Sequence, residues 1–126
     1  MDRERARQLA AGVAWARIGL GVSAILTPSL PLRPWVGGAA AWRPQAKLLA
    51  RGLGARDIAL GLGVVLALRQ GGPVRGWVEA SVLADAGDVL ATLLAFGSLP
   101  KLGRLAVLAS AGGAAAVGGM LAPAVD

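Results

Sequence analysis

Six charged residues stand inside stretches of sequence that are otherwise apolar: Arg17, Arg51, Arg56, Asp57, Asp85 and Asp88. Carboxylates in such surroundings can exchange a proton, and arginines can hold an anionic ligand with a planar fork. The two together can also tie one element to another. Little other chemistry is on offer. The chain contains no Cys and no His, which excludes disulfides, thiolate nucleophiles, His-ligated haem, zinc sites built on those ligands and imidazole acid–base catalysis. It has no Tyr, and no Lys falls among the six. The expectation is a buried charge cluster, structural or ligand-binding, with no catalytic set, no cofactor and no metal. An enzyme is the less favoured reading.

The elements that must position these residues follow from composition and hydropathy. The 126 residues suffice for one domain; 56% are apolar and only 16% charged, with a mean hydropathy of +0.63. Soluble domains run near a quarter charged, and a small one needs proportionally more polar surface. The imbalance points to lipid as part of the solvent. Valines and isoleucines do not alternate as in strands, which argues against a β-barrel.

A spanning helix needs about 20 mostly apolar residues. Four segments approach this, at about 8–27, 46–68, 76–96 and 102–121. Pro28 closes the first and Pro44 precedes the second. In RQGGPVRG, after the second, Gly71, Gly72 and Pro73 cannot continue a helix comfortably. Only the last segment is free of charge over a full span, from Leu105 to Val125. The first connection, PSLPLRPWVGGAAAWRP, carries Trp35 and Trp42 about two helical turns apart, so both indoles can lie on one side of a short interfacial helix at the headgroup level. Trp77 fits the same role. The expected fold is all-α, a four-helix transmembrane bundle with a short interfacial segment between helices 1 and 2.

Three other readings are weaker. A signal peptide cleaved after Val22-Ser23-Ala24 is opposed by Arg17 in its apolar region and by Asp2 and Glu4 in its charged one. A soluble Ala-rich bundle would need a polar face that the fourth segment lacks. A nucleic-acid partner is not expected, because the 13 Lys and Arg that produce the net charge of +6 are spread thinly along the chain. Setting aside Arg17, Arg51 and Arg56, the loop cations divide evenly: Arg3, Arg5, Arg7, Arg69 and Arg75 against Arg33, Arg43, Lys47, Lys101 and Arg104. That balance decides nothing under the positive-inside rule, and the basic N-terminal tail favours both termini in the cytoplasm.

Depth brings the charges together. At about 1.5 Å per residue, Arg17, Arg56, Asp57, Asp85 and Asp88 all fall near the middle of their segments. Arg51 lies about 8 Å from centre and balances the third carboxylate. A charge at the centre of a spanning helix costs about 2.5–3.5 kcal/mol on insertion scales, so it persists where it faces a partner. Asp85 and Asp88 are three apart and share a helical face. The expected pairing sets Arg17 and Arg56 against Asp85 and Asp88, with Asp57 shared or protonated. Glu79, toward one end, can reach water.

Small residues accompany the charges. Gly52 lies one turn from Arg56 and Gly61 one turn from Asp57, where they let helices approach and leave room for a guanidinium. Ala59 with Gly63, and Ala111, Ala115 and Gly119, continue the pattern. None forms a phosphate loop: GLGARD and GLGVVL do not match GxGxxG, and neither follows a strand.

The stretch RGLGARDIALGLGVVLAL, with GWVEASVLADAGDVL after it, resembles the core pattern of small uncharacterised bacterial four-helix membrane proteins. Their G-x-R-D element falls here on Gly54, Arg56 and Asp57, and their A-D-x-x-D element on Ala84, Asp85 and Asp88. The resemblance covers about a third of the chain and implies a fold and a location, the bacterial cytoplasmic membrane, rather than a reaction. The expected partners are the lipid bilayer and either further copies of the chain or a larger membrane protein. The alternative roles are proton- or ion-coupled transport of a small molecule, or service as an accessory subunit of a larger membrane complex.

Overall fold

The computed structural model describes residues 1–126 as six α-helices with no strand. In order they are α1 (Arg3–Leu26), α2 (Ser29–Val36), α3 (Gly38–Ala41), α4 (Pro44–Gln70), α5 (Arg75–Leu94) and α6 (Lys101–Leu121), with a 3-10 turn at Phe96–Ser98 before the last. The four long helices coincide with the four apolar segments. α1 starts earlier than hydropathy suggests, because the Asp2 carboxylate accepts the Arg5 backbone N–H at 2.8 Å and Glu4 sits in the positive first turn. Arg3, Arg5 and Arg7 are therefore helical rather than a tail. α4 opens on Pro44, where a missing N–H costs nothing, and closes on Gly71 at φ 68°, a left-handed cap.

α5 is capped from the far end of the chain. The Asp126 carboxylate accepts the N–H groups of Val74 at 2.8 Å and Arg75 at 3.0 Å. These two donors, Val74 first, hold the Asp126 carboxyl below its ordinary range. A lowered folded value means that the tie is complete above the ordinary carboxylate pKa and is lost as pH falls through the lowered one. The Val74 amide signal is expected to titrate with a midpoint under about 3.9, and to stop titrating in Asp126→Asn. A midpoint at or above that value would show that the cap does not form.

Each long helix runs antiparallel to the next. Gly21 meets Gly54 and Ala14 meets Gly61 across α1 and α4; Arg56 meets Asp88 and Gly63 meets Trp77 across α4 and α5; Gly118 lies against Val82 and Gly112 near Val89 across α5 and α6. Arg7, in the first turns of α1, donates to the Val125 carbonyl beyond α6 at 3.1 Å. The closest approach on α1 is at Gly21, where a Cβ would stand 2.5 Å from the Gly54 carbonyl oxygen. The small residues that allow contact are not all the expected ones. Gly61 is at a contact, but Gly52 and Gly119 face open space. Gly54 and Gly118, one or two positions away, point inward instead, a difference of 100° or more around a helix of about 3.6 residues per turn.

Two apolar clusters bracket the middle of α4. One, at the end near the termini, joins Ala6, Ala10, Ala14, Val64, Val78 and Leu121 with their neighbours. The other, at the opposite end, joins Leu32, Ala41 and Ala50, with Trp35 packed on them. The connection between α1 and α4 departs from expectation. Gly37, at φ 96°, breaks it into two helices, so Trp35 and Trp42 do not share a face. Trp35 turns inward and donates its indole N–H to Thr92 Oγ1 at 3.1 Å, whereas Trp42 stays exposed with Lys47 Nζ 5.1 Å from its ring. Trp77 is half-exposed but packs on α4 at Gly63.

Only 25 of the 126 residues are buried, and among the buried apolar ones Ala and Val outnumber Leu, most of whose leucines lie outside. Two helices, α1 and α6, are long and apolar enough to cross a membrane. In α4 and α5 charges interrupt the apolar run.

Candidate functional site

The charges on three helices form one connected chain of alternating sign. Arg17, on α1, donates from Nη1 to Asp57 Oδ1 of α4 at 2.9 Å and from Nη2 to Asp85 Oδ2 of α5 at 2.5 Å. Arg56, on α4, sets both terminal nitrogens on Asp88 of α5, at 2.9 Å to Oδ1 and 2.8 Å to Oδ2. Its Nη2 also lies 3.3 Å from Asp57 Oδ1. The order is thus Asp85, Arg17, Asp57, Arg56, Asp88, with Asp57 between the two arginines.

The helices impose this arrangement by register. Asp85 and Asp88, three apart, present two carboxylates on one face of α5. Arg56 and Asp57 are adjacent on α4, about 100° apart, so Asp57 turns toward α1 while Arg56 turns toward α5. The antiparallel run of α1 past α4 then brings Arg17 level with Asp57. Gly61, one turn from Asp57, admits Ile18 and the Ala14 carbonyl; a Cβ there would meet both within 2.7 Å. Gly54 does the same toward Gly21. Without these gaps the helix axes would stand too far apart for Arg17 to reach across.

Burial grades along the chain of charges. The Arg17 and Asp85 side chains are each 9% exposed and Asp57 11%, while Asp88 is 18% and Arg56 30% exposed. The Arg17 end is the interior one. Three carboxylates face two guanidiniums, so the cluster carries one net negative charge when all are ionised. Arg51 does not join it. Its Nε donates to the Ile25 carbonyl at 3.2 Å, and the residue is exposed. The expected neutralisation by Arg51 is therefore corrected: the residue lies about one and a half turns from centre and turns its Nε to the last turn of α1, whose carbonyls lack helical partners. Glu79 pairs with Arg75 at 2.6 Å, both of them exposed.

This chain matches no family model, no curated protein and no solved structure. Its chemistry rests on the geometry alone. Arg17 and Asp85 border a cavity of about 30 Å³ that Ala14, Gly61, Val78 and Ser81 help to line. That is room enough for water. What the arrangement can do without rearrangement is hold three helices in register, or take up and release a proton at the surplus carboxylate.

Two participants escaped the sequence reading. Thr92 is 1% exposed; its hydroxyl donates to the Asp88 carbonyl at 2.7 Å and accepts the Trp35 indole N–H. Trp35 and Thr92 thereby fasten α2 to the helix turn that carries Asp88. A signal existed for Thr92: Asp85, Asp88 and Thr92 fall at i, i+3 and i+7, one stripe of α5. Nothing in the sequence marks Trp35 over Trp42 as the inward indole.

The pairing makes a prediction of its own. Exchanging the charges as Arg56→Asp with Asp88→Arg is expected to restore much of the stability that either single change removes, whereas Arg56→Asp with Asp85→Arg is not. Detergent unfolding of the six proteins reads the difference. Equal recovery in both double variants would show that the fork on Asp88 is not specific.

Proposed function

We propose that this chain is a small polytopic membrane protein in which α1, α4, α5 and α6 all span the bilayer, and that the Arg and Asp chain is an interhelical clamp near its midplane. The observation that carries this is an inverted distribution of polarity. Leu20, Leu49, Leu66, Leu83, Leu90 and Leu105, on all four long helices, are between 48% and 75% exposed... while Arg17, Asp57 and Asp85 are closed inside. A protein in water has no reason to expose so many leucines, and hydrocarbon gives a strong reason to close in the charges. Among the charges that interrupt α4 and α5, the central Arg56, Asp57, Asp85 and Asp88 are paired, so their insertion cost falls when the helices assemble.

A buried ion pair often only offsets its own desolvation. The clamp's role is then specificity of register more than net stability. Residues of similar size but no charge would allow α5 to slide along α1 and α4. The proposal includes a location in a bacterial cytoplasmic membrane, which rests on the resemblance carried by Gly54, Arg56, Asp57, Ala84, Asp85 and Asp88. A further copy of the chain, or a larger membrane protein, is the natural partner for exposed small-residue faces such as that of Gly52. Counting Arg51 with the α2 and α3 end gives that end six cations against five at the other. That margin favours the α2 and α3 end in the cytoplasm under the positive-inside rule, and we propose this orientation over the one suggested by a basic tail.

The test is extraction and labelling. The protein is expected to stay with membranes in alkaline carbonate and to leave in detergent. Because the chain lacks Cys, single cysteines at the exposed Ala39 and Pro123 report opposite sides; the second is expected to react with an impermeant thiol reagent in intact cells. Release by carbonate would end the membrane reading, and the reverse labelling would end only the orientation.

One observation favours a second role. The cluster has one carboxylate more than it has guanidiniums, and its Asp85 borders a small cavity, an arrangement that suits a proton-coupled transporter. Under that role Asp85→Asn keeps the folded protein and abolishes coupling; under the clamp alone it changes stability and nothing else.

A further inference from the structure

The end of the molecule formed by α2, α3 and the starts of α4 and α6 carries Arg33, Arg43, Lys47, Arg51, Lys101 and Arg104, and no acidic residue. The acids are all elsewhere: Asp57, Asp85 and Asp88 in the central chain, and Asp2, Glu4, Glu79 and Asp126 at the other end. None of the six cations makes a salt bridge, since every bridge in the molecule belongs to Arg17, Arg56 or Arg75. Two are spoken for by neutral partners. Arg104 stacks 3.9 Å from the Phe96 ring centroid and donates to the Phe96 carbonyl, and Arg51 donates to Ile25. Arg33, Arg43 and Lys101 are exposed, and Lys47 lies over Trp42.

The fold holds this rim together. The Pro34 carbonyl packs directly on Gly103, and Gly37 lies against Pro100, so α2 rests on the start of α6. Exposed apolar side chains alternate with the cations: Leu30, Trp42, Leu48 and Leu102 are 56–84% exposed. A rim of unpaired cations interleaved with apolar groups suits a surface that is anionic on one side and hydrocarbon on the other. A nucleic acid would match the charge and leave the leucines without a partner.

From this we infer that the α2 and α3 end is a binding rim for anionic phospholipid headgroups, with Arg33, Arg43, Lys47 and Lys101 as the cations that take the phosphates and Trp42 seated at the headgroup level. The inference rests on the membrane reading above and adds to it the lipid class and the end of the molecule that selects it. Each cation near a charged leaflet is worth about a factor of five in local lipid preference, and the effect fades with salt.

Indole quenching tests it. In the full chain with Trp15→Phe and Trp77→Phe, only Trp35 and Trp42 remain, both at this end. The protein is reconstituted in phosphatidylcholine vesicles containing a small fraction of brominated phosphatidylglycerol or brominated phosphatidylcholine. Brominated phosphatidylglycerol is expected to quench several-fold more strongly at equal mole fraction, with the excess lost in 1 M salt and in Arg33→Gln, Arg43→Gln, Lys101→Gln combined. Equal quenching by the two lipids overturns the rim while leaving the membrane reading intact. An unchanged excess in the triple variant also overturns it, as does loss of the excess when a single-stranded oligonucleotide is added. Quenching by neither lipid means that the protein has not entered the bilayer, and removes both readings together.

Discussion

Replacing Arg17 by Met is expected to destabilise the protein by about 3–5 kcal/mol, the usual cost of removing one partner from a buried ion pair. Arg17 is the only cation that touches Asp85, and it shares Asp57 with Arg56. Its loss strands the Asp85 carboxylate, 9% exposed, beside a small, mostly apolar cavity. Asp57 keeps a cation at 3.3 Å, so the penalty belongs mainly to Asp85. The double variant Arg17→Met with Asp85→Leu is accordingly expected to recover most of the loss, because both charges leave together and apolar contact replaces them. Arg17→Lys should recover less, since a single ammonium cannot reproduce a fork that spans two carboxylates on different helices. Unfolding by graded addition of denaturing detergent measures all three. If Arg17→Met unfolds with the native protein, Asp85 has another means of satisfaction and the clamp is not a clamp.

The second large effect is expected at the α1 and α4 crossing. In Gly54→Ala the new methyl would lie 2.6 Å from the Gly21 carbonyl oxygen and 2.9 Å from Ala24 Cβ. Neither neighbour is the end of a flexible side chain, so the helices must part. Overpacking of this kind costs about 1–3 kcal/mol, against a propensity gain of about 0.8–1 kcal/mol for Ala over Gly. The steric cost is expected to win, and Gly54→Leu should prevent assembly. The damage reaches the charges as well, because Asp57 lies less than a turn from Gly54 and depends on α1 for Arg17. Gly52→Ala is the control. Its Cβ would meet nothing within 4 Å, so only the propensity gain remains and the variant should be slightly more stable than the parent. Should the two alanine variants behave alike, helix propensity and not the crossing governs this region.

Much of this protein was legible in its sequence. Helix positions were, because Pro28, Pro44, Gly71 and Pro73 interrupt apolar runs wherever backbone hydrogen bonding must stop. The common height of the charges along the helices was as well, because rise per residue is fixed and helices of similar length place their midpoints at similar height. That Arg17, Arg56, Asp57, Asp85 and Asp88 would find one another follows from the same arithmetic and from the cost of burying any of them unpaired. Partner choice was not legible. Whether Arg56 takes Asp85 or Asp88, and whether Arg51 enters the cluster, depends on rotation of each helix about its axis. Rotation follows which glycine faces the neighbouring helix, Gly54 rather than Gly52 against the Gly21 backbone and Gly118 rather than Gly119 against the Val82 side chain. Likewise Trp35 and Trp42 are the same residue type in one linker, and only the kink at Gly37 and the waiting hydroxyl of Thr92 send one inward. Composition and spacing act along the chain and set which side chains can meet at a given height. Packing acts across it, and it alone selects which of them do.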